Sequence, residues 1–245
     1  MTARTPAHTT IGILGAGRVG TAVARQALAA GYPVLLSASG PAEDIQLIVD
    51  VVAPGARAVT AEEAAASADL VVAAIPLHKF RTLPREALAG KIVIDAMNHW
   101  GPVDGPLTEY DEDPRSTSEI VQEFLDRSRL VKTLNHIGYH ELEEDGRPAG
   151  SPARRALAHA SDNAEASERV AEFLDALGYD PVSAGPLRAG QAFAPGTPIF
   201  AGSFTAPELA SALEDARVAT EVATEVAALP TAGDTTADRS YTLTA

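Results

Sequence analysis

The sequence predicts a doubly wound α/β fold with a mostly parallel sheet and a short C-terminal helical extension. Three observations predict it. Short apolar runs alternate with helical segments from residue 11 onward, at the spacing of successive β-α units. Leu70–Ile75 and Ile92–Ile94 are apolar throughout, as strands are when a parallel sheet covers both of their faces. The first run, Ile11–Leu14, passes through a cluster of glycines directly into a helix.

In chain order, the strand Ile11–Leu14 leads to an alanine-rich helix, Val19–Ala30, stopped at Gly31. Val34–Leu36 is β-prone, Ala42–Val52 is helical before Pro54, Ala58–Val59 begins a short strand, and Ala61–Ala68 is helical. The strands Leu70–Ile75 and Ile92–Ile94 follow. Gly101–Ser118 is rich in Gly, Pro and acidic residues without periodicity and is expected to be a loop. The next helix is capped by Ser116 or Ser118 and buries Ile120, Val121, Phe124 and Leu125. Leu130–Leu134 restores a strand. Arg155–Ala160 is assigned as a strand because it lies between units, although its alanines suit a helix. Glu165–Leu177 is amphipathic and stops at Gly178, and Val182 begins a last strand before Gly185 and Pro186. Pro and Gly break up Gly190–Pro207, Glu208–Leu229 is helical, and Pro230–Ala245 reads as a loose tail. The expected organisation is a doubly wound domain over 1–188, an extension over 189–229 and a tail over 230–245.

Composition narrows the chemistry. The chain has 245 residues, 46% of them hydrophobic, and no cysteine, which excludes disulfide scaffolds, thiolate metal sites and cysteine nucleophiles. A net charge of −14 opposes nucleic-acid and anionic-membrane partners. No apolar run approaches the roughly 18 residues of a membrane helix, and MTARTPAHTT lacks the layout of a signal peptide. A cytoplasmic protein with a small-molecule partner is expected. Lysine occurs at Lys79, Lys91 and Lys132 alone, and this arginine- and alanine-rich usage is typical of GC-rich bacterial genomes.

Gly15-Ala16-Gly17-Arg18-Val19-Gly20 is a G-x-G-x-x-G in the context that gives it meaning, after a strand and opening a helix. Gly15 makes the tight turn, Gly17 lets backbone approach a pyrophosphate, and Gly20 permits close packing of helix on sheet. The helix N-terminus supplies free N–H groups and the positive end of its dipole. Where NAD-binding proteins place a carboxylate after the second strand, this chain has Ser37-Ala38-Ser39-Gly40. Hydroxyls there, with Arg18 turned toward them, favour NADP through its 2′-phosphate. The other reading is that Ser37 and Ser39 form a plain turn and both cofactors are accepted.

With these residues placed, the chain resembles the coenzyme F420-dependent NADP reductase family. The segments IGILGAGRVG, VVAAIP (71–76), VIDAMN (93–98) and LVKTLNHIG (130–138) carry the likeness in order, with SAGPL (183–187) after them. The resemblance implies a Rossmann-like domain that binds NADPH along its strand ends, beside the deazaflavin F420. By motif position, Gly15, Ala16, Gly17, Arg18 and Val19 hold the pyrophosphate, and Ser37 and Ser39 the 2′-phosphate. Ile75, Pro76 and Leu77 border the dinucleotide, while Asn98, Asn135, His136 and Ile137 approach the nicotinamide. Family members often carry Arg at the position of Ser39, and Gln191–Phe204 differs from the segment that covers the deazaflavin there. Related 6-phosphogluconate and imine reductase types append a large helical domain, for which the sequence after Leu187 is too short.

Hydride transfer between two cofactors needs stacking and water exclusion more than an acid or base. His136 is the candidate catalytic residue beside the rings, weighed equally against a histidine that merely bonds within a strand-end loop. His136 and His140 lie four apart near Glu141, Glu143 and Glu144. The zinc-protease pattern needs a glutamate where Ile137 stands, so no metal site is expected. His78 and Lys79 read as an exposed helix start in preference to a cofactor contact. Trp100 either walls a ring pocket or packs under the long loop. Arg147, Arg154, Arg155 or Arg188 is expected to receive the anionic tail of F420. A homodimer is expected because the C-terminal extension has no obvious place in one Rossmann domain. Reduction of a flavin or a small organic substrate, and a non-catalytic NADP(H) sensor, remain the alternatives.

Overall fold

The computed structural model describes residues 8–99, 105, 110, 113 and 115–228, with side chains up to residue 222. Trp100, most of the 101–118 loop and the 230–245 tail lie outside the described residues.

Among the described residues, eight strands form one sheet. They are β1 (Ile11–Leu14), β2 (Val34–Ser37), β3 (Arg57–Ala58), β4 (Leu70–Ala73), β5 (Ile92–Asp95), β6 (Arg129–Lys132), β7 (Ala156–Ala160) and β8 (Asp180–Gly185). Their order is β3-β2-β1-β4-β5-β6-β7-β8. The chain leaves β1 toward β2 and β3, then returns to place β4 on the other side of β1, with Ile11 paired to both Val34 and Leu70. The ends of β1 and β4 therefore flank the point where strand order reverses, which is where open α/β sheets bind ligands.

The helices α1 (Arg18–Ala29), α2 (Ala42–Val52), α3 (Ala61–Ser67), α4 (Thr117–Phe124), α5 (Tyr139–Glu144), α6 (Ala164–Ala176) and α7 (Ala206–Ala228) connect and cover the strands. Alternation along each strand feeds two separate cores. Ile11, Ile13, Leu36, Val72, Ile94 and Val131 pack with α1, α2 and α6, while Leu14, Leu35, Val71, Val93 and Leu130 pack with α3 and α4. This two-faced burial is what the unbroken apolar runs encode. Local chemistry sets the helix starts: Ser116 and Glu119 form a capping box on α4, Thr60 accepts from the Glu63 N–H on α3, and Asn163 accepts from the Ala166 N–H on α6.

The Arg155–Ala160 segment is the strand β7, and it pairs antiparallel with β6 through Lys132 and Ala160. The connection after β6 returns at the same end of the sheet, whereas α6 crosses over to place β8 parallel to β7. Two strands end earlier than their apolar runs. β4 stops at Ala73 because the chain turns away under the glycine loop, and β6 stops at Lys132, ahead of Leu134 at φ 64°. The sequence reading did not foresee α5.

The 3-10 helix Leu187–Phe193 and α7 do have a place in the domain. Phe193, Ile199, Leu209 and Leu213 close a third core over Ala156, Ala158 and Ala160 of β7. The packing removes the reason for expecting a second copy of the chain. No described helix is long and apolar enough to cross a membrane.

Candidate functional site

A cleft of about 860 Å³ opens at the strand-order reversal. Gly15, Ala16 and Gly17 form one wall, Ser37 to Pro41 a second, and the start of α3 a third. Ile75 and Pro76, with Lys79 and Thr82 of the 3-10 helix Leu77–Thr82, complete it.

The three glycines do three different things. Gly15 has φ 120°, and a Cβ there would meet the Ala74 carbonyl oxygen at 2.4 Å, so β1 turns closely over the end of β4. Gly20 faces the Gly15 carbonyl with no room for any side chain. Gly17, the N-cap of α1, has nothing within 4 Å of a Cβ position. The backbone N–H groups that begin α1 thus lie beside open space, which is the arrangement that receives a phosphate.

Seven of the residues assigned to the dinucleotide from the sequence line this cleft together: Gly15, Ala16, Gly17, Ser37, Ser39, Ile75 and Pro76. Their parts are unequal. Ser37 is 1% exposed and its Oγ donates to the Ile13 carbonyl at 3.2 Å, so it braces β2 on β1 and cannot donate to a phosphate at the same time. Ser39 is exposed on the rim. Arg18 does not turn toward it; its guanidinium lies over the Tyr139 ring, 5.6 Å from the centroid. Val19 packs against the core, and Leu77 is buried beneath the cleft.

At the ends of β5 and β6, Asn98 and Asn135 hold each other. Asn98 Nδ2 donates to the Asn135 carbonyl at 2.6 Å, and Asn135 Nδ2 donates to Asn98 Oδ1 and to the Phe193 carbonyl, both at 3.1 Å. The clasp ties the strand ends to the C-terminal segment. Ile137 is buried in the core and does not reach this surface.

His136 is a correction to the sequence reading. Its ring is buried, Nε2 accepts from the Ala158 N–H at 3.0 Å, and the proton therefore resides on Nδ1, 3.4 Å from Asn135 Oδ1. Burial, reinforced by Arg155 and Lys132, pushes its pKa down to about 3. The neutral imidazole, its Nε2 accepting from Ala158, braces the segment that follows β6 against β7. His140 is exposed and stacks beside Tyr139, so the two histidines do not converge on a metal.

Three of the four arginines expected to meet an anionic tail are otherwise occupied, and the fourth lies elsewhere. Arg154 is buried and bonds to Asp175 and Asp180, each at 2.7 Å. Arg155 is buried against Asp145 at 2.6 Å and the Gly202 carbonyl at 2.7 Å. Arg147 bonds to backbone carbonyls of its own loop, and Arg188 lines a different hollow beside α7.

Sequence reasoning missed a buried ionic cluster behind the Asn98 turn. Asp95 accepts from Ser118 Oγ at 2.7 Å and from the Met97 N–H at 3.0 Å, and Lys132 Nζ lies 3.4 Å from Asp95. Lys132 also donates to the Met97 carbonyl. Desolvation lowers the Lys132 pKa while Asp95 opposes the shift. A lone charge at the end of each apolar strand, in VIDAMN and LVKTLN, was the available signal.

Residues 10–99 match the family model described as NADP oxidoreductase, coenzyme F420-dependent. A hypothetical protein of Sinorhizobium meliloti superposes with a TM-score of 0.70 at 27% identity, covering 80% of this chain and 95% of that one. A candidate F420-dependent NADP reductase from Arthrobacter sp. FB24 gives 0.61 at 22% identity, over 89% and 95% of the two chains. A Myxococcus stipitatus imine reductase variant in complex with NAD+ shares the fold at 0.50 and 17% identity, over 89% of this chain and 62% of that one. No curated protein matches in sequence. The glycine loop, the cleft and the first five strands all fall within residues 10–99, the segment that is similar to that family model.

Proposed function

We propose that the chain is an NADP(H)-dependent oxidoreductase that passes hydride between the nicotinamide and a deazaflavin of the F420 type. One observation carries this reading: the open backbone at Gly17, at the N-terminus of α1, faces a cleft whose far rim holds Ser39 and no carboxylate at the end of β2. The space beside Gly17 suits a pyrophosphate, and a Cβ would fill it. In this reading, the N–H groups of Gly17, Arg18 and Val19 hold the pyrophosphate, Ile75 and Pro76 wall the dinucleotide, and Ser39 takes the adenosine end. The Asn98–Asn135 clasp borders the nicotinamide. When bound, the nicotinamide supplies or accepts the hydride; the chain holds the rings together and excludes water. The family match and the Arthrobacter neighbour support F420 as the partner.

Anaerobic mixing with NADPH and either F420 or FMN tests the proposal. Loss of the oxidised F420 absorbance under saturating NADPH is expected. Reduction of FMN with F420 unchanged would reassign the second substrate, and NADPH binding without turnover of either would mark a sensor.

A further inference from the structure

We propose that Lys79 recognises the 2′-phosphate of the dinucleotide's adenosine, so that preference for NADP(H) rests on Lys79 together with Ser39. The inference deepens the functional reading above and depends on it.

The cleft has two ends for anionic groups. The start of α1 provides one, and its N–H groups suit the pyrophosphate that joins the two nucleosides. The other lies where β2 ends, at Ser39 and Gly40, in a cleft that the 3-10 helix after Pro76 also lines. A phosphate dianion bound there needs more than one hydroxyl, because its charge must be compensated as water is displaced. Ser37 is already bonded to Ile13, and Arg18 lies over Tyr139 on the far side of the loop.

Lys79 supplies the missing charge. Among the described lining residues it is the cation, and Glu62 on α3 is the one carboxylate. The 3-10 helix buries Leu77 and Phe80, three residues apart, and this leaves Lys79 exposed. Its backbone is held by its own N–H bond to the Pro76 carbonyl at 2.9 Å, and its carbonyl accepts from Thr82 Oγ1 at 2.8 Å. The other two lysines are committed: Lys91 donates to the Ala66 and Ala68 carbonyls, and Lys132 belongs to the buried Asp95 cluster. Lys79 has no carboxylate partner among the described residues. It is a free cation on a fixed backbone, lining the same cleft as Ser39.

Calorimetric titration with 2′,5′-ADP and 5′-AMP isolates the 2′-phosphate, since the two fragments differ by that group alone. The parent should prefer 2′,5′-ADP. Lys79→Ala should weaken 2′,5′-ADP and NADPH by about 10- to 100-fold while leaving 5′-AMP and NADH within twofold, and Lys79→Arg should restore most of the preference. The exposed position predicts an unchanged melting temperature for both variants. If Lys79→Ala leaves the fragment ratio unchanged, or weakens both fragments equally, the assignment is wrong although the functional reading stands. A parent that binds neither NADPH nor NADH overturns both.

Discussion

Gly20 lies directly against the carbonyl of Gly15, so closely that a Cβ on Gly20 would fall 1.8 Å from that oxygen. Gly17, midway between them, would meet nothing. Two alanine substitutions within one motif therefore have opposite consequences. Gly20→Ala must push α1 off the sheet, and a cost of about 3 kcal/mol or more is expected from such overpacking. Gly17→Ala should leave the urea midpoint nearly unchanged but weaken NADPH binding by at least about tenfold, because the methyl group occupies the approach to the helix terminus. Equal effects of the two changes on stability would contradict this division of labour.

Ser39→Asp tests the second-strand end. A carboxylate there faces the 2′-phosphate of NADPH but can accept hydrogen bonds from the ribose diol of NADH. Two unit charges in contact interact by about 4 kcal/mol at an effective dielectric near 20, and solvent screening leaves about 1–3 kcal/mol. NADPH should bind about 10- to 100-fold more weakly, with NADH little changed. The ratio of the two dissociation constants, measured in mutant and parent, decides it; an unchanged ratio removes Ser39 from the ribose site.

The buried pair of Asp95 and Lys132 predicts a strong single-mutant effect. Lys132→Met leaves the Asp95 carboxylate buried with Ser118 and the Met97 N–H as its partners among the described residues, and should cost about 3–5 kcal/mol. Adding Asp95→Asn removes the stranded charge and should recover a substantial part. Denaturant midpoints of the single and double variants measure this, and additive losses would mean that the pair is not coupled.

His136 and His159 make the fold sensitive to mild acid. Burial holds their folded-state pKa values at about 3 and about 4, below the ordinary 6.5. The neutral forms therefore contribute stability that is fully present above about pH 6.5 and is lost as pH falls toward those values. Each histidine should account for about 2 kcal/mol between pH 7 and pH 5. His136→Gln, whose amide oxygen can still accept from the Ala158 N–H, should show a slope shallower by one proton in urea titrations across this range. An unchanged slope would show that the imidazole is not buried in its neutral form.

Much of the sheet was legible because burial on both faces leaves runs such as Leu70–Ala73 and Ile92–Ile94 without polar punctuation, and because Gly31 and Gly178 end helices at positive φ. The glycine loop was legible because Gly15 and Gly20 answer to close backbone approaches, while Gly17 leaves the start of α1 open. What stayed hidden depends on long-range contacts. Nothing local to His136 reveals that Ala158 donates to it, and nothing near Arg154 reveals Asp175 and Asp180 around it. The antiparallel turn into β7 and the seat of Phe193 on β7 likewise arise from where the chain returns.

Direct hydride transfer is the central claim, and isotope transfer tests it most directly. NADPH carrying deuterium at both C4 positions is mixed anaerobically with the protein and oxidised F420 in ordinary water, and the reduced deazaflavin is analysed by mass spectrometry. The account predicts one deuterium in the reduced F420, delivered without exchange with solvent. Reduced F420 that carries only solvent hydrogen, or F420 left oxidised at saturating NADPH, would contradict it.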